Sequence, residues 1–137
     1  MNYPFVPKST SYLEPGQYWP IPLSNGAYAC GVVLSRLQRH GKMEKCAFFA
    51  GLLDWYSQFP PDQKSICECS VIKCGALHIK AISEVGAEIL GKADFKDMPQ
   101  NPTEYTDDIV TLGYSALNVV AESRFVNAAN KTNQLKS

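Results

Sequence analysis

Cys67, Cys69, Cys74 and His78 fall close together in the sequence and are all residue types that bind zinc. Structural zinc sites usually take their ligands from two separated knuckles, each with ligands two to four residues apart. The one-residue spacing of Cys67 and Cys69 instead suits a strand, where both would share a face with Val71. On such a face a free cysteine packs as a small hydrophobe. A cysteine nucleophile would need His40 or His78 as its base and an electropositive setting. His40 lies beside Gly41 in a polar stretch, and His78 falls on the polar side of a short helical segment. The chain has no Gly-rich phosphate loop, HExxH, Gly-x-Ser-x-Gly elbow or EF-hand pattern. Adjacent acids such as Asp107 and Asp108 serve better as dipole-complementing residues at a helix start than as an acid–base pair. No catalytic residues, metal or cofactor are expected.

Binding chemistry is better represented. Asp54-Trp55-Tyr56, followed by Pro60-Pro61, places aromatics at a strand end beside a loop. Tyr and Trp dominate interface energetics, although Trp55 serves a core equally well. Between Glu84 and Asp108 seven acids face two lysines, Lys92 and Lys96. Asp94, Asp97, Glu104, Asp107 and Asp108 form the acidic candidates of this stretch, able to meet a basic partner or simply to be solvated. The whole chain carries 13 basic and 13 acidic side chains, for zero net charge. Nucleic-acid binders normally carry a basic excess, so that class is not expected.

The elements that must position these residues follow from patterning. Residues 1–14 read as an irregular arm. Gln17–Leu23 is extended, with Trp19, Ile21 and Leu23 on one face and Pro20 and Pro22 on the other, which suits an edge strand. Ser24-Asn25-Gly26 predicts a hairpin through a tight primed turn. The return strand, Ala27–Leu37, sets Tyr28, Cys30, Val32 and Leu34 against the small residues Ala27, Ala29 and Gly31. Arg36–Lys45 reads as a polar loop. Cys46–Tyr56 reads as a third strand in preference to a helix, and Ser65–Ile72 as a fourth. Ala76–Val85 predicts a short helix closed by Gly86. Ala87–Leu90 predicts a short strand, and Asp94–Thr106 a loop. A long helix is predicted from Asp107 to Ala128, with Tyr114, Leu117, Val120, Ala121, Phe125 and Ala128 on one face. Residues 130–137 read as a frayed tail. The fold class expected is α+β: a curled antiparallel sheet, SH3-like or a partial barrel, with a short helix and a C-terminal helix packed on it.

The 137 residues suit one domain, and 45% hydrophobic with 19% charged residues is an ordinary globular balance. No apolar run approaches the ~20 residues of a membrane span. Nor does the N-terminus have a basic region followed by an apolar stretch. A cytoplasmic protein is therefore expected, its five cysteines reduced.

The segment from Glu14 to Leu34 resembles the opening of the immunity protein 26 family. Ile21-Pro22-Leu23, Gly26, Tyr28-Ala29, Gly31 and Val33-Leu34 match its strand–turn–strand pattern. Ala76–Ile82, with Glu88-Ile89-Leu90-Gly91, looks like the family's later strand-and-glycine segment. Gln17 departs from the acid usual after Gly16, and the C-terminal helix has no counterpart. The resemblance, over about residues 14–95, implies a bacterial immunity protein that neutralises a cognate toxin of a polymorphic or contact-dependent system. It implies stoichiometric occlusion of the toxin's active site or substrate groove, with no catalytic residues. The toxin-contact candidates are then Asp54, Trp55, Tyr56, Asp94, Asp97, Glu104, Asp107 and Asp108. Were the toxin a nuclease, the five last-named acids would mimic phosphate. The alternative is a small barrel-like interaction module with no toxin partner.

Overall fold

The computed structural model describes residues 2–95 and 101–127. Five strands form one antiparallel sheet: β1 (Gln17–Pro22), β2 (Tyr28–Arg39), β3 (Lys42–Leu53), β4 (Val71–His78) and β5 (Gly91–Lys92). Their spatial order is β4-β3-β2-β1-β5. Register shifts between Val33 and Ser35, between Arg36 and Gln38, and between Leu52 and Leu53 mark bulges. Each adds local twist and bends its strand, so the sheet curls. The result is an α+β fold, a curled antiparallel sheet with a few short helices and the C-terminal one packed against it.

Both faces of the sheet are buried, and the alternation along β2 is the reason. On one face Trp19, Ile21, Ala29, Val33, Phe48, Ala50, Leu52 and Leu77 form a core, under Ala81 and Ile82 of α2 (Lys80–Ser83) and Leu117 and Ala121 of α3 (Ala116–Ala121). On the other, Tyr18, Cys30, Val32, Leu34, Leu37, Phe49 and Leu53 pack with Ile66 of the one-turn helix α1 (Gln63–Ile66). The small residues of β2 make room for large ones opposite. Trp19 pairs with Gly31, and a Cβ at Gly31 would run into the Trp19 indole. That indole meets Phe48 edge-on at 5.9 Å between ring centroids. Pro20 and Pro22 are accommodated because β5 covers β1 only at Gln17 and Tyr18.

The primed turn expected at Asn25-Gly26 occurs instead at the next connection. At Leu23–Ala27 Gly26 donates to the Leu23 carbonyl and has φ +85°, while Asn25 keeps a negative φ. That is a type I turn ending in a left-handed glycine, not a primed two-residue turn. The primed turn lies between β2 and β3, where His40 and Gly41 take φ +52° and +78°. Arg36–Lys45, expected to be a loop, is therefore the continuous end of two twelve-residue strands.

Other boundaries also move. Ser65–Ile72 is not a strand: Asp62 caps α1 by accepting from Ser65 N at 2.8 Å, and β4 starts only at Val71. The Ala76–Val85 helix shrinks to Lys80–Ser83, because residues 76–78 pair with Ala47–Phe49 of β3. Gly86 does close that region at φ +73°. In place of a strand over Ala87–Leu90, Ile89 makes an isolated bridge to Phe5, and β5 follows at Gly91. The long C-terminal helix starts at Ala116 and not at Asp107. Residues 110–112 serve instead as a cover for β4: Ala76 N donates to the Val110 carbonyl and Leu112 N to the Ala76 carbonyl, each at 2.8 Å. Beyond Ala121 the winding widens to a π-helix over Glu122–Asn127, and Val126 within it is buried in the core. Ala128 and the 130–137 tail lie outside the described residues.

Gln17 is fully buried and uses its side-chain amide in full. Its Oε1 accepts from Glu14 N at 3.0 Å, and its Nε2 donates to Tyr3 Oη and to the Tyr12 carbonyl at 3.2 and 3.1 Å. A carboxylate could not make the last bond. The amide thereby ties the N-terminal arm to β1. Among the described residues no helix is long and apolar enough to cross a membrane.

Candidate functional site

The seven contact candidates among the described residues do not form one surface: Asp54, Trp55 and Tyr56 follow β3, Glu104, Asp107 and Asp108 lie toward the β2–β3 hairpin, and Asp94 follows β5.

At the hairpin end a strap of residues 101–105 joins the outer margin of β2. Gln38 N donates to the Thr103 carbonyl at 2.7 Å and Tyr105 N to the Gln38 carbonyl at 2.8 Å. Ser35 Oγ donates to the Pro102 carbonyl at 2.6 Å. This pairing uses the part of β2 that extends beyond β1. Between strap and hairpin lies a cleft of about 710 Å³ lined by Arg39, His40, Glu104, Tyr105, Thr106, Asp107, Ile109 and Thr111. Tyr105 is its fixed element, with its hydroxyl 2.6 Å from Thr111 Oγ1. The Arg39 guanidinium lies 4.3 Å from the centre of the Tyr105 ring, with Nε 3.7 Å from Glu44. Glu104 and Asp107 are exposed on the opposite wall, and exposed Asp108 follows. Among the described residues no salt bridge crosses the cleft.

The basic wall was not legible as such. Read as a loop, Arg36–Lys45 put Arg36, Arg39, His40, Lys42 and Lys45 at no defined place. As a hairpin end it carries this charge beside the acidic strap, so the acids do not stand on a uniformly negative face. The usable signal was His40-Gly41, since His is enriched among non-glycine residues at positive φ.

At the other end of β3, Asp54 and Tyr56 hold the C-terminal segment. Arg124 donates through Nε and Nη2 to Asp54 Oδ1, at 3.2 and 3.1 Å. Tyr56 stacks on Phe125 with centroids 5.6 Å apart and an 18° interplanar angle, and its hydroxyl accepts from Asn25 Nδ2 at 2.8 Å. Glu122 accepts from the backbone N and hydroxyl of Ser24. A groove of about 790 Å³ lies here, lined by Asp54, Ile72, Val119, Val120, Ser123, Arg124 and Phe125. Trp55 is half-buried against the second core. Asp94 is exposed just after β5 and lines neither cavity. Asp97 lies outside the described residues.

The metal-ligating types are not assembled. Among the described residues no three of His, Cys, Asp and Glu converge on a point that could hold an ion. Cys67 and Cys69 follow α1 and are not on a strand, while Cys74 is exposed on β4. His78 ends β4, and its Nδ1 accepts from Lys80 N at 3.1 Å at the start of α2. Burial pushes the Cys30 thiol well up and raises that of Cys69, the Asp54 charge adding to the latter. Both therefore favour the unreactive thiol form. Burial likewise raises the Tyr18 phenol.

Compared with known protein families, curated proteins and solved structures, the chain finds no match.

Proposed function

We propose that this chain is a protein-binding module of the cytoplasm that silences one partner by covering its working surface. This reading calls for no catalytic turnover, cofactor or nucleic-acid ligand. The resemblance of residues 14–95 to the immunity protein 26 family supplies the class of partner, a bacterial toxin domain. The observation that carries the reading is the position of Glu104 and Asp107, exposed on the wall of an open cleft, Glu104 on a strap whose backbone is paired to β2 and Asp107 in the turn that follows it. A preorganised strap binds with little ordering cost, and its charges speed encounter with a complementary surface.

The basic hairpin end favours a second reading, an interaction module with no toxin partner. Arg39 and Lys42 beside the acids would repel a uniformly basic nuclease site, whereas a surface of mixed charge suits both walls. Co-expression with a toxin encoded beside this chain's gene distinguishes the two. Growth rescue and a one-to-one complex are expected from immunity. Undiminished toxicity with no complex overturns it.

A further inference from the structure

The cleft at the hairpin end holds charges of both signs that do not neutralise one another. Arg39 stands on one wall and Glu104 and Asp107 on the other, and among the described residues neither acid takes part in an ion pair. Tyr105 and Ile109 line the same cleft as partly buried apolar residues packed on the second core. Arg39 is positioned with its donors unspent. Its guanidinium lies over the Tyr105 ring and its Nε 3.7 Å from Glu44, and no hydrogen bond among the described residues engages it. The walls are set before any ligand arrives, by the backbone bonds between Gln38 and the strap and by the Tyr105–Thr111 contact.

A fixed cleft with opposite charges and an apolar strip fits a ligand that carries the complementary parts. We propose that this cleft binds a carboxylate and an ammonium joined by an unbranched apolar chain, as in an ω-amino acid or a C-terminal lysine. The carboxylate meets the Arg39 guanidinium, whose planar fork suits two oxygens. The ammonium meets Glu104 and Asp107, and the methylene stem lies along Tyr105 and Ile109. A ligand of one sign alone meets a repelling wall, which gives the site its selectivity. The proposal deepens the partner-binding reading of this cleft and rests on it, yet the two fail separately, because its test needs no toxin.

Titration of the isotope-labelled full chain tests it, read by NMR at the amides of Gln38, Arg39, Glu104 and Tyr105. ε-Aminocaproate should bind about tenfold or more tightly than hexylamine or hexanoate, each of which lacks one charged contact. Arg39→Gln, and Glu104→Gln together with Asp107→Asn, should each weaken ε-aminocaproate by about tenfold, while Arg39→Gln leaves hexylamine no weaker. These side chains are exposed, so the fold should persist in each variant. A peptide ending in lysine with a free carboxylate identifies the source: binding tighter than ε-aminocaproate assigns the site to a protein terminus, and weaker binding to a small molecule. No shift at these amides, equal affinity for the three small probes, or variants that bind ε-aminocaproate unchanged would each overturn the proposal. Growth rescue without probe binding would overturn this ligand alone, whereas probe binding with undiminished toxicity would remove only the toxin.

Discussion

The two ends of β3 carry the same kinds of side chain in opposite states. At the hairpin end Arg39 and the acids Glu104 and Asp107 line one cleft without bridging it, and the cleft walls are set by backbone pairing. At the other end Asp54 and Arg124 are already bridged, and side chains hold the C-terminal segment: the ion pair, the Tyr56–Phe125 stack and the Glu122–Ser24 bonds. A charge left open on a fixed backbone costs little to present to a partner. A charge committed to holding a helix is less free to leave. This difference, and not the density of acids, is why the proposed contact is placed at the hairpin end.

The largest expected effect tests whether one sheet supports both ends. Trp19→Ala should lose ~3–5 kcal/mol of stability, because the indole is 2% exposed and fills the space over Gly31. Urea unfolding should then show both regions failing in one transition. Separate transitions would break the comparison into two independent parts.

The next largest effect is confined to the cleft. Glu104→Gln, Asp107→Asn and Asp108→Asn together should slow association with a charged partner by about tenfold at low salt. Stability should stay within ~0.5 kcal/mol, since these positions are exposed. Association read by surface plasmon resonance across a salt series checks this, and an unchanged rate would remove the acids from the contact.

A third prediction concerns the core between the two ends. Cys30 is buried and its thiol raised, so the folded chain holds that proton more tightly than the unfolded one. Its contribution is fully present below about pH 9, the ordinary thiol value, and is lost as pH rises through the raised value of the folded state. Unfolding free energy should therefore fall above pH 9 by at most ~1.4 kcal/mol per pH unit for this group, and Cys30→Ala should flatten the slope. The smallest effect is expected at Arg39→Ala. Its exposed pairing with Glu44 contributes only ~0.2–1 kcal/mol, and its loss should shift the salt dependence of binding more than stability.

Much of the sheet was legible because strand alternation is a local signal. That Cys30, Val32 and Leu34 face away from Ala29 and Gly31 is readable from β2 alone, whereas the pairing of Trp19 with Gly31 is not, because a two-residue turn at Asn25-Gly26 would set Trp19 opposite Val32. What else was not legible depended on partners distant in sequence. Residues 110–112 look like the start of an amphipathic helix until β4 offers them an unpaired edge. Ser65–Ile72 alternates like a strand, but the Asp62 cap winds its beginning into α1 first. Polarity hid the far ends of β2 and β3, because strands that leave the core no longer need an apolar face. The acidic candidates were visible as charge, whereas the basic residues opposite them became visible only once Arg36–Lys45 was a hairpin.

Hydrogen exchange of the chain alone and in the proposed complex, should co-expression yield one, tests the central claim most directly. The account predicts new backbone protection at residues 36–45 and 101–108 on binding, with the Asp54–Arg124 end unchanged by the toxin. Protection confined to residues 54–59 and 119–127, with the cleft unaffected, would contradict it.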